Sequence, residues 1–289
     1  MMSIQTGQTA LAADVLGKLG IAIYGDGSDG DVIIAADTDL TRDMYYDDLT
    51  VNITKYLDTK GFRVFVKGTL TNNGTIKSNG GDGLANGTAG AAALAGSLGG
   101  GLIGAVGAAA GGNPGVAGAA SNPGLGGAGG DGGKTTNQVK GAGGAVTAST
   151  AVKGGFRSLP FAIILKEIET TVAKILGGGG GGSGATEGGS VSGGGGGSGG
   201  TVCIAAREIV NTSGIIQANG GDAGAPAAAH TGGSGGGGGG LVVLIYNTLA
   251  AGTEEAAGGA LSAENPGTGA ETGVDGSAGI VIKIVNSVV

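Results

Sequence analysis

Apolar and polar side chains alternate along two short stretches of this chain. Leu49, Val51 and Ile53 are separated by Thr50 and Asn52, and Phe62, Val64 and Val66 by Arg63 and Phe65, with Lys67 next. A period of two turns every second side chain to the same side of an extended backbone, so strands with one inward face are expected between Val32 and Ile76. Asn73-Gly74 then marks a tight turn. Three later apolar runs, Val202-Cys203-Ile204, Leu241 to Tyr246 and Ile280 to Val285, have the length of buried strands. A different periodicity appears between Ser158 and Leu176. Leu159, Ile163, Ile164, Ile168, Val172, Ile175 and Leu176 form one stripe at helical spacing, Ser158 is a cap and Pro160 suits the first turn. A helix is expected there, with a run of strands as the alternative because Ile and Val are frequent.

One segment recurs. Gly74-Thr75-Ile76-Lys77-Ser78-Asn79-Gly80-Gly81-Asp82 is matched by Gly214-Ile215-Ile216-Gln217-Ala218-Asn219-Gly220-Gly221-Asp222, an offset of 214 − 74 = 140 residues. Each copy follows an apolar strand and runs into a region of glycine and alanine. Strands separated by long glycine-rich excursions predict a mainly β fold, β-helix-like or a stacked-sheet core, with the excursions leaving from one side. The expected organisation is a docking segment at 1–24, a β region at 25–83, a Gly/Ala-rich excursion at 84–156, the helix at 157–176, and a glycine-rich repeat region with strands at 177–289.

Composition changes this picture in one respect. Seventy-two of 289 residues are glycine, and they cluster at 177–182, 193–197 and 235–240. Isolated, such blocks are flexible coil. Packed side by side as extended, three-per-turn helices, they can satisfy one another's peptide groups with no Cβ in the way. Packed polyglycine II-like blocks are the expectation, with 84–155 and 223–234 as candidate contact loops. A collagen register is not expected, because glycine at every third position does not persist and prolines number five. Aromatic residues are 3% of the chain, too few for a core of large side chains, so an assembly such as a homotrimer is the expected source of stability.

A net charge of −7 argues against sequence-independent nucleic-acid binding. No window reaches about 18 uninterrupted apolar residues, so no membrane insertion is expected, and the first residues have no secretory-signal pattern. Asp26, Asp29 and Asp31 are the candidate metal ligands, with Asp37, Asp39 and Asp43 nearby, although their spacing is not that of an EF-hand and suits turn-forming residues. Ala128 to Thr135 fits a relaxed phosphate-binding loop, but no strand precedes it and no helix signal follows. His230 is the only histidine and Cys203 the only cysteine. A histidine triad or a multi-histidine metal site cannot come from one copy, and Cys203 reads as a buried thiol. No nucleophile, base and orienter fall at readable spacing, so no catalytic residues and no cofactor are expected.

The stretch from Asp29-Gly30-Asp31-Val32-Ile33-Ile34 through Leu40 to Val51 and Gly61 to Ile76 resembles a segment of glycine-rich tailed-phage virion proteins and related surface proteins. The opening Thr6-Gly7-Gln8-Thr9-Ala10-Leu11-Ala12-Ala13-Asp14-Val15 resembles the start of phage tail-fibre proteins. The later glycine blocks are similar in kind to those of phage adhesins with packed polyglycine helices. The resemblance covers about a third of the chain at motif level, and Ser158 to Leu176 does not map onto it. It implies a virion location and a structural protein exposed at the particle surface. The N-terminal segment would bind other virion proteins, and loops on a rigid scaffold would bind a host surface glycan or outer-membrane protein. A capsid decoration protein and a cellular surface filament or matrix protein are the alternatives.

Overall fold

The structure is a computed structural model that describes residues 23–121, 126–146, 177–187, 191–227, 229–265 and 269–286. The helix expected at 158–176 lies outside the described residues, as does the docking segment apart from Ile23 and Tyr24. Strands are the regular elements between Gly25 and Asn286 among the described residues. They are β1 Gly30–Ile34, β2 Thr38–Asp39, β3 Met44–Val51, β4 Tyr56–Asp58, β5 Arg63–Asn72 and β6 Thr75–Lys77, then β7 Thr201–Val210, β8 Ile215–Gln217, β9 Leu241–Tyr246, β10 Thr248–Ala250, β11 Thr253–Glu255 and β12 Ile280–Val285.

The strands form two sheets, and every pairing is parallel. One sheet runs β1-β3-β5-β7-β9-β12, with β10 beside β7, and the other runs β11-β8-β6-β4-β2. Apart from β9 and β10, which both lie in the larger sheet, successive strands alternate between the sheets, so the chain coils through stacked rungs as in a solenoid. The sequence repeat is this stacking: Thr75 pairs with Ile215, Ile76 with Ile216 and Lys77 with Gln217. The offset of 140 residues is therefore the register of one rung on the next.

Between the sheets lies a core of Leu49, Val51, Val64, Val66, Leu70, Val202, Ile204, Ile209, Val242 and Leu244 from one side and Leu57, Ile76 and Ile216 from the other. The larger sheet is covered on its outer face too, where Phe65, Cys203, Ala205, Val243 and Ile245 pack with Tyr24 and Leu98. This departs from the one-sided burial that the alternation predicts for β5, and it accounts for the unbroken apolar run of β9. Tyr24 reaches across the sheet, donating its hydroxyl to Asn247 Oδ1 at 2.5 Å and accepting from Asn286 Nδ2 at 3.0 Å.

Burial on that outer face pushes the Cys203 thiol up to about 12. The thiolate is the reactive form, so Cys203 is expected to resist a maleimide or disulfide reagent in the native chain at pH 8. It should react at one thiol per chain in denaturant. Stoichiometric labelling of the native protein would contradict this packing.

At the turn between the two sheets, asparagines stack from rung to rung. Asn72 Nδ2 donates to Asn211 Oδ1 at 2.7 Å, and Asn211 Nδ2 donates to Glu254 Oε1 at 2.7 Å. Lys283 closes the row with a 2.6 Å ion pair to the other Glu254 oxygen. Burial raises the Glu254 carboxyl, but Lys283, Asn211 and the Gly252 N–H together bring it below its ordinary value.

In the first two rungs the return from the smaller sheet to the larger is short, at 40–43 and 59–62. From the third rung onward each return is a long excursion: 78–200, 218–240 and 256–279. The excursions build the second half of the molecule. A loop at 94–99 ties that half to the coil: Leu98 N–H donates to Gly61 C=O at 2.8 Å and Ser97 Oγ donates to Asp43 Oδ1. Gly61, at φ +74, lies where a Cβ would meet the Gly96 nitrogen at 2.6 Å.

Candidate recognition surface

The excursions fold into straight legs that run out from the coil and back. Three glycine-dense legs, 177–186, 191–200 and 231–240, lie at the centre, and from Ser192 to Gly200 and from Thr231 to Gly240 every residue is buried. Nine other legs surround them among the described residues. In order round the ring these are 78–84, 88–93, 100–108, 113–121, 138–146, 126–135, 271–279, 256–265 and 218–226.

The hydrogen bonds follow a period of three. On the leg 177–186, the N–H groups of Gly179, Gly182 and Ala185 donate to Gly127, Gly130 and Gly133, while those of Gly180, Ser183 and Thr186 donate to Ala119, Val116 and Asn113. Gly178 and Gly181 donate to Gly199 and Gly196. Its carbonyls accept from the remaining sides: Gly180 from Gly144, Gly181 from Ala105 and Gly182 from Gly235. The legs 191–200 and 231–240 bond outward in the same way. Each central leg is therefore ringed by backbone on every side, which is hexagonal packing.

Close approach explains the sequence. A Cβ built on Gly195 would sit 2.1 Å from the Gly181 oxygen, and one on Gly237 2.0 Å from the Gly197 oxygen. Central legs need glycine in all three phases of the turn. Outer legs need it mainly in the inward phase, and there glycine recurs every third residue: Gly101, Gly104 and Gly107; Gly126, Gly129 and Gly132; Gly273, Gly276 and Gly279. Buried serines stand in for missing backbone partners. Ser198 Oγ accepts from Leu102 N–H at 2.6 Å and donates to Gly178 C=O at 2.6 Å, and Ser192 and Ser183 accept from Ala108 and Val116.

The region expected as the excursion 84–156, with contact loops at 84–155 and 223–234, is thus mostly legs where it is described. Only its turns are loops. The turns at the far end are 85–87, 109–113, 135–138, 226–230 and 265–270, of which 228 and 266–268 lie outside the described residues. Gly87, Gly111 and Gly112 take positive φ there, as does His230 at φ 62. A polar row ties the turn bases together: Thr186 N–H donates to Asn113 C=O, and Thr186, Thr231 and Asn265 form isolated bridges. Asn137 N–H donates to Glu187 Oε1 at 2.6 Å, Glu187 N–H to His230 C=O at 3.0 Å, and Lys134 pairs with Glu271 at 3.1 Å. The end surface is a set of short turns, each held at both feet by a hydrogen-bonded leg.

The other sequence candidates fall elsewhere. The Arg42 guanidinium, with the Tyr45 N–H, holds the Asp29 carboxyl below its ordinary range. Asp31 accepts from Asp48 N–H at 3.2 Å and Asp26 from Ser28 N–H at 2.9 Å. The three are not brought together, and among the described residues no group of three or more metal-ligating side chains converges. The phosphate-loop-like stretch is an outer leg whose Gly129, Gly130, Gly132 and Gly133 amides all donate to other legs, so they are not presented to a phosphate. Lys140 and the Gly143 N–H lower the Asp131 carboxyl. A shallow cleft lined by Arg42, Asp43, Tyr45, Phe62 and Ser97 lies where the 94–99 loop meets the coil.

Neither a known protein family, nor a curated protein, nor a solved structure gave a match to this chain.

Proposed function

We propose that this chain is a surface component of a tailed-phage virion, a tail-fibre or receptor-binding tip, in which a polyglycine II lattice holds recognition turns away from a β-helical base. The observation that carries the reading is the closed block of legs, whose turns meet at the end remote from the coil. A leg of ten residues at about 3.1 Å per residue projects its turn by about 30 Å. Recognition loops work best on scaffolds that do not move, and ordering such loops beforehand lowers the entropic cost of binding. The turns differ from one another in sequence while the legs are constrained to glycine only where they pack on one another, so contact chemistry can vary without touching the packing. Asn86, Asn137, Gln138, Glu187 and His230, all carried at this end, suit a host glycan or the outer loops of a membrane protein.

The test replaces Asn86, Asn137 and Gln138 with Ser and His230 with Gly and follows adsorption of the particle to its host. Adsorption is expected to fall at least tenfold, about 1.4 kcal/mol, with the melting temperature unchanged. Undiminished adsorption after exchange of all the far-end turns would remove the role.

A further inference from the structure

The charge on the glycine block is segregated. From Gly83 to Gly130 the sequence has no Asp, Glu, Lys or Arg. That run supplies the adjoining outer legs 88–93, 100–108 and 113–121. The ionised side chains described on the block lie on other legs and turns: Asp82, Asp131, Lys134, Lys140, Glu187, Asp222, Glu264, Glu271 and Asp275. The neutral side is not merely small and flat. Ile103 is 52% exposed, Val106 56%, Val116 38% and, on the next leg, Val139 70%. Ile103 and Val106 are one three-residue turn apart and so share an edge of their leg. Gly115 N–H donates to Val139 C=O, which sets Val139 beside Val116. Lys140 is drawn away from this side by its 2.6 Å pair with Asp131.

We propose that this neutral, apolar side of the lattice is where a second copy of the chain seats. Three observations select that occupant. The chain carries a net charge of −7, so two copies repel unless they meet through a surface without charge, and this side is that surface. Its accessible side-chain donors for a glycan are few, among them Thr88, Gln138 and the Asp131-paired Lys140, and legs 88–93, 100–108 and 113–121 carry no charge for an acidic or basic partner, whereas an identical side matches it in polarity. It also has no Lys, Arg, Trp or Tyr between Gly83 and Gly130, which a lipid-surface site would use. The area suffices. Leg 88–93, about 19 Å long, and legs 100–108, 113–121 and 138–146, about 28 Å each, at about 5 Å spacing give roughly 515 Å² per copy, near 1,000 Å² in total, at the lower bound for a specific interface. The inference stands apart from the host-binding role, since it uses the flank of the lattice and none of the far-end turns.

Sedimentation of the full-length chain tests it, with neutral phosphatidylcholine vesicles as a second arm. The wild-type chain is expected at a multiple of its 26.8 kDa mass. The double variant Val106→Glu/Val139→Glu should sediment as a single chain, with Cys203 still protected as the check on folding. Leu261→Glu, an exposed change on the leg 256–265, should leave the wild-type mass unaltered. A wild type that stays single at tens of micromolar overturns the proposal, as does a double variant that keeps the oligomeric mass. Co-sedimentation of wild type with vesicles, lost in the double variant, also overturns it and assigns the side to lipid.

Discussion

Gly195→Ala is expected to cost more than about 3 kcal/mol, beyond the usual range for a single added methyl group. In most proteins the same exchange is neutral or helpful, because alanine narrows the unfolded ensemble and stabilises by about 0.4–1 kcal/mol. Here the native-state clash wins. The new Cβ would lie 2.1 Å from the Gly181 oxygen and 2.6 Å from its carbonyl carbon, and both belong to another central leg. That leg cannot yield, since its own amides are bonded on the far side to 113–121 and 126–135. For a chain of this size the loss corresponds to a fall in melting temperature of roughly 6–12 °C. Ala260→Val, on the exposed side of an outer leg, should stay within about 0.5 kcal/mol. Calorimetry of both variants decides the matter. Equal melting temperatures for Gly195→Ala and wild type would mean that the central legs are not in contact.

Asn211→Ala should cost about 2–3 kcal/mol, for a different reason. Its side chain is the middle of the asparagine row, accepting from Asn72 and donating to Glu254 and to Thr253 C=O. Truncation leaves Asn72 Nδ2 with only the Ile215 carbonyl, at 3.1 Å, on a fully buried side chain. It also takes one donor from the Glu254 carboxylate, whose side chain is only 2% exposed. A partly satisfied buried polar row is worse than none. Urea unfolding measures the loss, and a change below about 0.5 kcal/mol would show that the row is solvated.

The coil was legible because its signals are local. Alternation at Leu49–Ile53 and Phe62–Lys67 marks strands, and the matched Asn-Gly-Gly-Asp segments give the rung register directly. The covering of Phe65 and Cys203 by Tyr24 and Leu98 was not legible, since it depends on contacts far apart in the chain. The glycine blocks at 177–182, 193–197 and 235–240 were readable as packed segments because glycine in all three phases leaves no Cβ between chains lying side by side. The outer legs were harder. Their glycines recur at every third position for only two or three turns, and then a serine, a turn or a shift of phase interrupts them. In a chain with 72 glycines among 289 residues, such short runs arise by chance. The far-end turns carry no motif at all. Their place follows from where the legs end, which only the pairing of distant segments fixes.

Amide hydrogen exchange, resolved to the glycines of 177–186, 191–200 and 231–240, addresses the central claim most directly. The account predicts that these amides exchange as slowly as those of β7 and β9, because those of Gly177 to Gly182, Gly194 to Gly197 and Gly235 to Gly240 are each bonded to another leg inside a closed ring. Exchange at the rate of an unstructured glycine chain across all three legs would contradict it.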